Sequence, residues 1–84
     1  MCIGDNIIFR YEENFKNGTL FIFDISQYRT YEGGKIEYCV LKNIRNGASL
    51  DEIIHTVENE FQIEDSRTGI EALVEDFRNK SIVV

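Results

Sequence analysis

The dipeptide Asn17-Gly18 is the feature that most constrains the fold of this chain. Both residues tolerate positive φ, and the pair is the strongest short-range signal for a β-hairpin. It lies between two segments rich in β-branched and aromatic residues, Ile7–Tyr11 and Thr19–Asp24. The sequence therefore predicts two antiparallel strands that meet at this turn. It leaves open whether the first strand runs on towards Phe15.

The second strand is predicted to be the middle strand of a meander. Its side chains alternate, with Leu20 and Ile22 on one face and two phenylalanines on the other, so both faces are apolar. The segment Asp24–Tyr28 contains turn residues, and a third strand is predicted near Arg29–Glu32. Gly33-Gly34 then ends that strand.

Strands one and three are the edges of the predicted sheet. An edge exposes unpaired N–H and C=O groups, and charged side chains discourage further pairing there. Strand one and the residues after it carry a series of charges: Arg10, Glu12, Glu13 and Lys16. Strand three has two charges, Arg29 and Glu32, beside Tyr28, Thr30 and Tyr31. The third strand is therefore predicted to be the edge that a partner can use.

Three amphipathic helices are predicted after the sheet. Helix one spans roughly Lys35–Asn46, with Leu41 at the side of its apolar stripe. Helix two begins at the capping box Ser49–Glu52, and Asp65 or Ser66 can cap helix three, which runs to about Asn79. The predicted fold class is α+β: a winged-helix-like single domain over residues 1–84, with an N-terminal three-stranded antiparallel sheet followed by three helices.

No pattern of catalytic residues is present in the chain. It contains no P-loop, GxGxxG, HExxH or GxSxG motif and no cysteine cluster. The single histidine, His55, is interpreted as a solvated helix residue in contact with Asp51, and Cys39 as a small core residue. We therefore expect a protein that is not an enzyme and has no cofactor or metal.

The charge of the chain restricts its partners. The formal net charge is −6, with basic residues scattered singly. Nucleic-acid binders gain most of their affinity from a basic face, so the composition argues against DNA, RNA and anionic membranes. No segment resembles a secretory signal or a membrane span, and we expect a cytoplasmic protein.

The order of these elements and four short motifs resemble the PqqD-like proteins, which recognise precursor peptides in ribosomal peptide natural-product biosynthesis. The motifs are LFIFD at Leu20–Asp24, YEGGKIEYCVL at Tyr31–Leu41, NGASLDEI at Asn46–Ile53, and the apolar ending Ser81–Val84. The third is similar to the family's G-x-T/S-hydrophobic-acidic-Glu-Ile signature. The resemblance extends over nearly the whole chain and includes no catalytic motif.

The resemblance implies a function that the composition alone does not give. In that family the leader of a precursor peptide adds as an antiparallel strand to strand three, and its apolar side chains enter a groove beside helix three. A separate peptide-modifying enzyme, such as a radical SAM maturase, then acts on the peptide. The matching residues here are Tyr28, Arg29, Thr30, Tyr31 and Glu32 on the strand and Arg67, Ile70, Glu71 and Val74 on the helix.

Two alternatives remain open from the sequence. Three helices could present a recognition helix, as in a winged-helix DNA-binding regulator, although helix three is acidic. The chain could also be an assembly subunit that dimerises through the edge of strand three, so we expect a monomer or a weak homodimer. The pattern does not decide which of Tyr28, Thr30 and Tyr31 faces the groove, because a one-residue slip exchanges the two faces.

Overall fold

The computed structural model describes residues 1–84 and contains a three-stranded sheet followed by three helices. The elements, in chain order, are β1 (Ile7–Glu12), β2 (Thr19–Asp24), β3 (Arg29–Gly33), α1 (Lys35–Arg45), α2 (Leu50–Phe61) and α3 (Arg67–Asn79). Both strand pairs are antiparallel and β2 is the middle strand. The predicted α+β fold is confirmed.

The β1–β2 turn has the backbone that its sequence predicts. Asn17 has φ +62° and Gly18 has φ +108°. A Cβ atom on Gly18 would lie 2.0 Å from the Tyr11 hydroxyl oxygen, so the turn needs glycine for space as well as for conformation. β1 ends at Glu12 and does not continue to Phe15, because the chain leaves the ladder for this turn.

The core lies between the helices and one face of the sheet, which we call the inner face. Leu20 and Ile22 of β2 are buried there, against apolar side chains of all three helices. Leu41, which the pattern assigned to the side of α1, is fully buried. The apolar stripe of α1 is thus wider than predicted, since α1 packs on both the sheet and α2.

The helix starts differ in how their N–H groups are satisfied. At α2 the predicted capping box is present, since Ser49 Oγ accepts from the Glu52 N–H at 3.2 Å and Glu52 Oε1 accepts from the Ser49 N–H at 2.9 Å. Ser66 precedes α3 but its side chain does not cap that helix. Instead, its N–H and hydroxyl both donate to Glu58 Oε2 of α2, at 2.9 Å each.

The chain ends meet beside α3. Ile82 and Val83 are buried, and the segment pairs with the N-terminal segment through an Ile3–Val83 bridge. The apolar ending therefore packs on the core. None of the three helices has the length and apolar character needed to cross a bilayer.

Candidate functional site

The candidate site is built on the outer edge of β3, one of the two edges of the sheet. β3 pairs with β2 on one side and with no strand on the other. The outer edge of β1 also has no partner strand, but at its beginning the Ile7 N–H donates to the Gly4 carbonyl, and charged side chains accompany it. Along β3, Arg29, Thr30 and Glu32 are exposed. The edge predicted to be available is therefore open.

The alternation of hydrogen bonds shows which way β2 directs its backbone groups. The Ile25 N–H donates to the Asn6 carbonyl at 2.9 Å, one residue beyond the Ile7–Asp24 pair of the β1–β2 ladder. Bonded pairs alternate with non-bonded pairs in an antiparallel ladder. Phe23, two residues before Ile25, therefore also bonds to β1. Ile22, which precedes Phe23, directs its N–H and C=O towards β3.

The same alternation identifies the free groups of β3. Ile22 pairs with Tyr31, so Tyr31 directs its N–H and C=O towards β2. Its neighbours Thr30 and Glu32 then direct theirs outward, away from the sheet. Neither of their N–H groups donates to a turn, loop or cap acceptor. These two residues offer an added strand its backbone donors and acceptors.

Side chains along β3 alternate between the two faces of the sheet. Tyr31, opposite Ile22, is half-buried on the inner face and packs against the core. Thr30 and Glu32 lie on the opposite face, which we call the outer face, beside the phenylalanines of β2. Tyr31 is therefore the residue of the strand whose side chain turns towards the helices.

The end of α3 approaches this inner face. The Lys80 ammonium lies 5.2 Å from the centre of the Tyr31 ring and donates a hydrogen bond to Asp76 Oδ2 at 2.8 Å. Leu73 lies seven residues before Lys80, about two helical turns, so both lie on the same flank of α3. Leu73 is half-buried against the core. The flank of α3 next to Tyr31 thus contains an apolar and a cationic residue that were not among the predicted site residues.

The structure shows where the four α3 residues predicted from the sequence lie. Ile70 and Val74 are buried in the core. Arg67 donates to Asp51 Oδ1 of α2 at 2.6 Å, which also means that Asp51 is engaged by this arginine and not by His55. Glu71 lines a surface hollow of about 330 Å³ on the flank of α3 away from Lys80. Arg67 and Glu71 lie roughly 140° and 180° around the helix axis from Lys80, and their contact with a peptide stays a prediction.

The turn before β3 is held by one buried carboxylate. Asp24 Oδ1 accepts hydrogen bonds from the Ser26 N–H (3.0 Å), the Ser26 hydroxyl (2.8 Å) and the Gln27 N–H (3.1 Å). These bonds, the one from the Ser26 hydroxyl foremost, keep the pKa of Asp24 below its ordinary value, against the opposing effect of burial. Asp24 therefore fixes the direction in which the chain enters β3.

Tyr28 completes this turn and is unusual in two respects. Its side chain is 94% exposed, and its backbone has φ +53°, a region that tyrosine rarely adopts. A polar hollow of about 270 Å³ lies beside the same turn, lined in part by Ser26 and Gln27. An exposed aromatic side chain next to an open strand edge is typical of a contact residue in binding interfaces.

The third surface hollow, of about 250 Å³, contains Cys39 and has no catalytic arrangement. The Cys39 thiol donates to Glu60 Oε2 at 3.4 Å. Burial is the main cause that raises the pKa of Cys39, to about 11, and the hydrogen bond to Glu60 is the second cause. The thiol is protonated at neutral pH, so it is a poor nucleophile and metal ligand.

Comparison with known proteins identifies the fold. No protein-family model matches the sequence, and no curated protein does either. A solved structure, "TbiB1 in Complex with the TbiA(beta) Leader Peptide", is similar over 99% of this chain and 94% of that chain, with a TM-score of 0.85 and 10% sequence identity. The chain has the fold of TbiB1. This likeness confirms the fold that the PqqD-like resemblance implied.

Removal of the Asp24 charge should make the β2–β3 turn less stable in a pH-dependent way. We expect Asp24→Asn to lower the midpoint of thermal unfolding at neutral pH. The folded-state pKa is depressed, so this stabilisation is present above the unfolded-state pKa of the aspartate and is lost as the pH falls through the folded-state value. Calorimetric melts over an acidic pH series measure the difference between the two proteins.

The matched control is Asp5→Asn. Asp5 and Asp24 both line the polar hollow beside the β2–β3 turn, but Asp5 is exposed and accepts none of the hydrogen bonds from Ser26 and Gln27. The control should melt like the wild type throughout. A difference between wild type and Asp24→Asn that stayed constant down to the lowest pH would contradict the assigned role of the carboxylate.

Proposed function

We propose that this protein binds the leader region of a ribosomally made precursor peptide and presents it to a separate modifying enzyme. It does so without catalysis, by adding the leader as an antiparallel strand to β3. The observation that carries the proposal is the open edge of β3, where Thr30 and Glu32 direct their backbone groups outward. Backbone bonds supply affinity in such β-augmentation, and side-chain contacts supply specificity.

The fold supports the same proposal from a separate direction. The solved structure of the TbiB1 fold contains a leader peptide. The absence of a catalytic motif from the sequence is consistent with a role in holding a peptide for another protein. The PqqD-like resemblance suggests a peptide-modifying enzyme as that protein, with a radical SAM maturase as one class. We propose the cytoplasm as the place, as expected from the sequence.

The proposed contacts on the protein follow from the faces of β3. Arg29, Thr30, Tyr31 and Glu32 form the edge, and Tyr28 stands at its beginning. On α3 we add Leu73 and Lys80, which share the flank next to Tyr31. Ile70 and Val74 support this flank from the core.

Acidic side chains on α3 disfavour the DNA-binding alternative. The exposed residues of this helix include Glu71, Glu75 and Asp76, and the chain carries a net charge of −6. A helix placed in the major groove lies among phosphates, which such a surface repels. Dimerisation through β3 uses the same edge as the peptide, so the protein is proposed to be a monomer or a weak homodimer that the leader dissociates.

Substitution of Thr30 by proline tests the strand addition. The Thr30 N–H points away from β2, so proline removes no bond of the ladder, and edge strands tolerate it. It does remove one donor to the peptide and obstructs the pairing. We expect affinity for the leader to fall at least about tenfold. Isothermal titration with leader peptides of short precursor genes next to the gene for this chain measures the change.

Two further variants make this test specific. Thr30→Val keeps the N–H and the β-branched shape, and it should bind at least as tightly as the wild type. His55→Ala changes an exposed residue of α2 and should also leave binding unchanged. A Thr30→Pro protein that folds normally and binds the leader as tightly as the wild type would contradict addition to β3.

Substitution of Tyr28 by asparagine tests the contact at the beginning of β3. Asparagine accepts the left-handed backbone that Tyr28 adopts, so the fold should be retained. The exposed ring contributes nothing to the core, yet exposed tyrosines are often hot spots of binding. We expect about fivefold or greater loss of affinity in the same titration, without a lower melting temperature.

Lys16→Asn is the matched control for this position. Lys16 is exposed and has φ +50° in the β1–β2 turn, which lies at the opposite end of the sheet from Tyr28. Equal affinities of the wild type and both asparagine variants would remove Tyr28 from the proposed site.

A further inference from the structure

The outer face of the sheet consists of two cross-strand rows that end at the open edge of β3. One row is Ile8, Phe23 and Thr30, and the other is Arg10, Phe21 and Glu32. A strand added to β3 places its own side chains next in each row, because directly opposed residues project to the same face. The two rows therefore define what an added strand meets on this face.

The first row is apolar and open to solvent. Ile8 is 53% exposed and Phe23 is 39% exposed, and no other element covers them. In the second row Phe21 is different, because the Phe15 ring packs on it with 5.5 Å between ring centres. An apolar side chain opposite Thr30 would extend the first row and shield its exposed surface.

The second row ends in an unpaired negative charge. Arg10, the cation of this row, forms an ion pair with its neighbour Glu12. Glu32 is exposed and forms no salt bridge within the chain. Its carboxylate is thus available to a cation on the strand that would lie beside it, and an acidic side chain there would be repelled.

We propose that the protein selects leader segments with a basic residue opposite Glu32 and an apolar residue opposite Thr30. This inference rests on the proposed addition of an antiparallel strand to β3. In that orientation the peptide runs against β3, so the basic residue comes two positions before the apolar one. The residue between them projects to the inner face, towards Tyr31 and Lys80. The partner class is a strand-forming peptide with the pattern basic, any residue, apolar.

Selection from a display library of short random peptides tests this inference and does not require the sequence of the natural leader. The wild type should enrich peptides with Lys or Arg two positions before an apolar residue. Glu32→Lys should shift that position to Asp or Glu. Synthetic pairs of an enriched peptide that differ in this residue should differ about five- to tenfold in affinity, and the order should reverse in Glu32→Lys.

The net negative charge of any acidic protein attracts basic peptides, whichever residue carries it. Glu75→Lys is the control for this effect. This substitution changes the net charge by the same amount as Glu32→Lys. Glu75 itself lies on α3, roughly 140° around the helix axis from Lys80. Glu75→Lys should enrich the same peptides as the wild type. Equal preferences in the wild type and in Glu32→Lys, or a shift of the same size in Glu75→Lys, would overturn the inference.

Thr30→Pro separates this inference from the function on which it rests. If Thr30→Pro loses the enrichment while Glu32→Lys leaves the preferred residue unchanged, strand addition stands and the charge selection is wrong. If Thr30→Pro enriches the same peptides as the wild type, or if the wild type enriches none, strand addition itself is wrong and the inference falls with it.

Discussion

The pairing of β2 with both of its neighbours is the interaction on which the rest of this structure depends. β2 contributes the buried Leu20 and Ile22 to the core, so its inner face is fixed by the packing of the helices. Its hydrogen bonds alternate between β1 and β3. Once that alternation is fixed, the free backbone groups of β3 fall on Thr30 and Glu32 and the Tyr31 ring turns inward. The candidate site is thus a consequence of core packing.

Features set by neighbouring residues could be predicted from the sequence. The Asn17-Gly18 turn and the Ser49–Glu52 capping box depend on backbone preferences and bonds within a few residues, and both occur as predicted. The prediction that Ser66 caps α3 was wrong, because Glu58 of the preceding helix accepts hydrogen bonds from both Ser66 donors across a separation of eight residues. Local sequence signals do not include such a competing partner.

The α3 side of the site could not be predicted for a related reason. A helical stripe identifies the core face, as it does for Ile70 and Val74, but it does not say which flank lies next to a given strand. That choice depends on how the helix crosses the sheet, which here brings Lys80 to Tyr31. The direction of Tyr31 was also left open, because a strand with polar and aromatic residues on both faces does not fix its own register. The chain shares its fold with TbiB1 at 10% identity, so what the two chains have in common is the arrangement of elements.

Amide hydrogen exchange measured by NMR, with and without a bound leader peptide, tests strand addition most directly. In the free protein the amides of Tyr31 and Gly33 should exchange slowly, because they bond to β2, whereas those of Thr30 and Glu32 should exchange fast. The account predicts that the peptide slows exchange at Thr30 and Glu32 and leaves the outer edge of β1 unchanged. Slow exchange at Thr30 and Glu32 in the free protein, or no change there on binding, would contradict it.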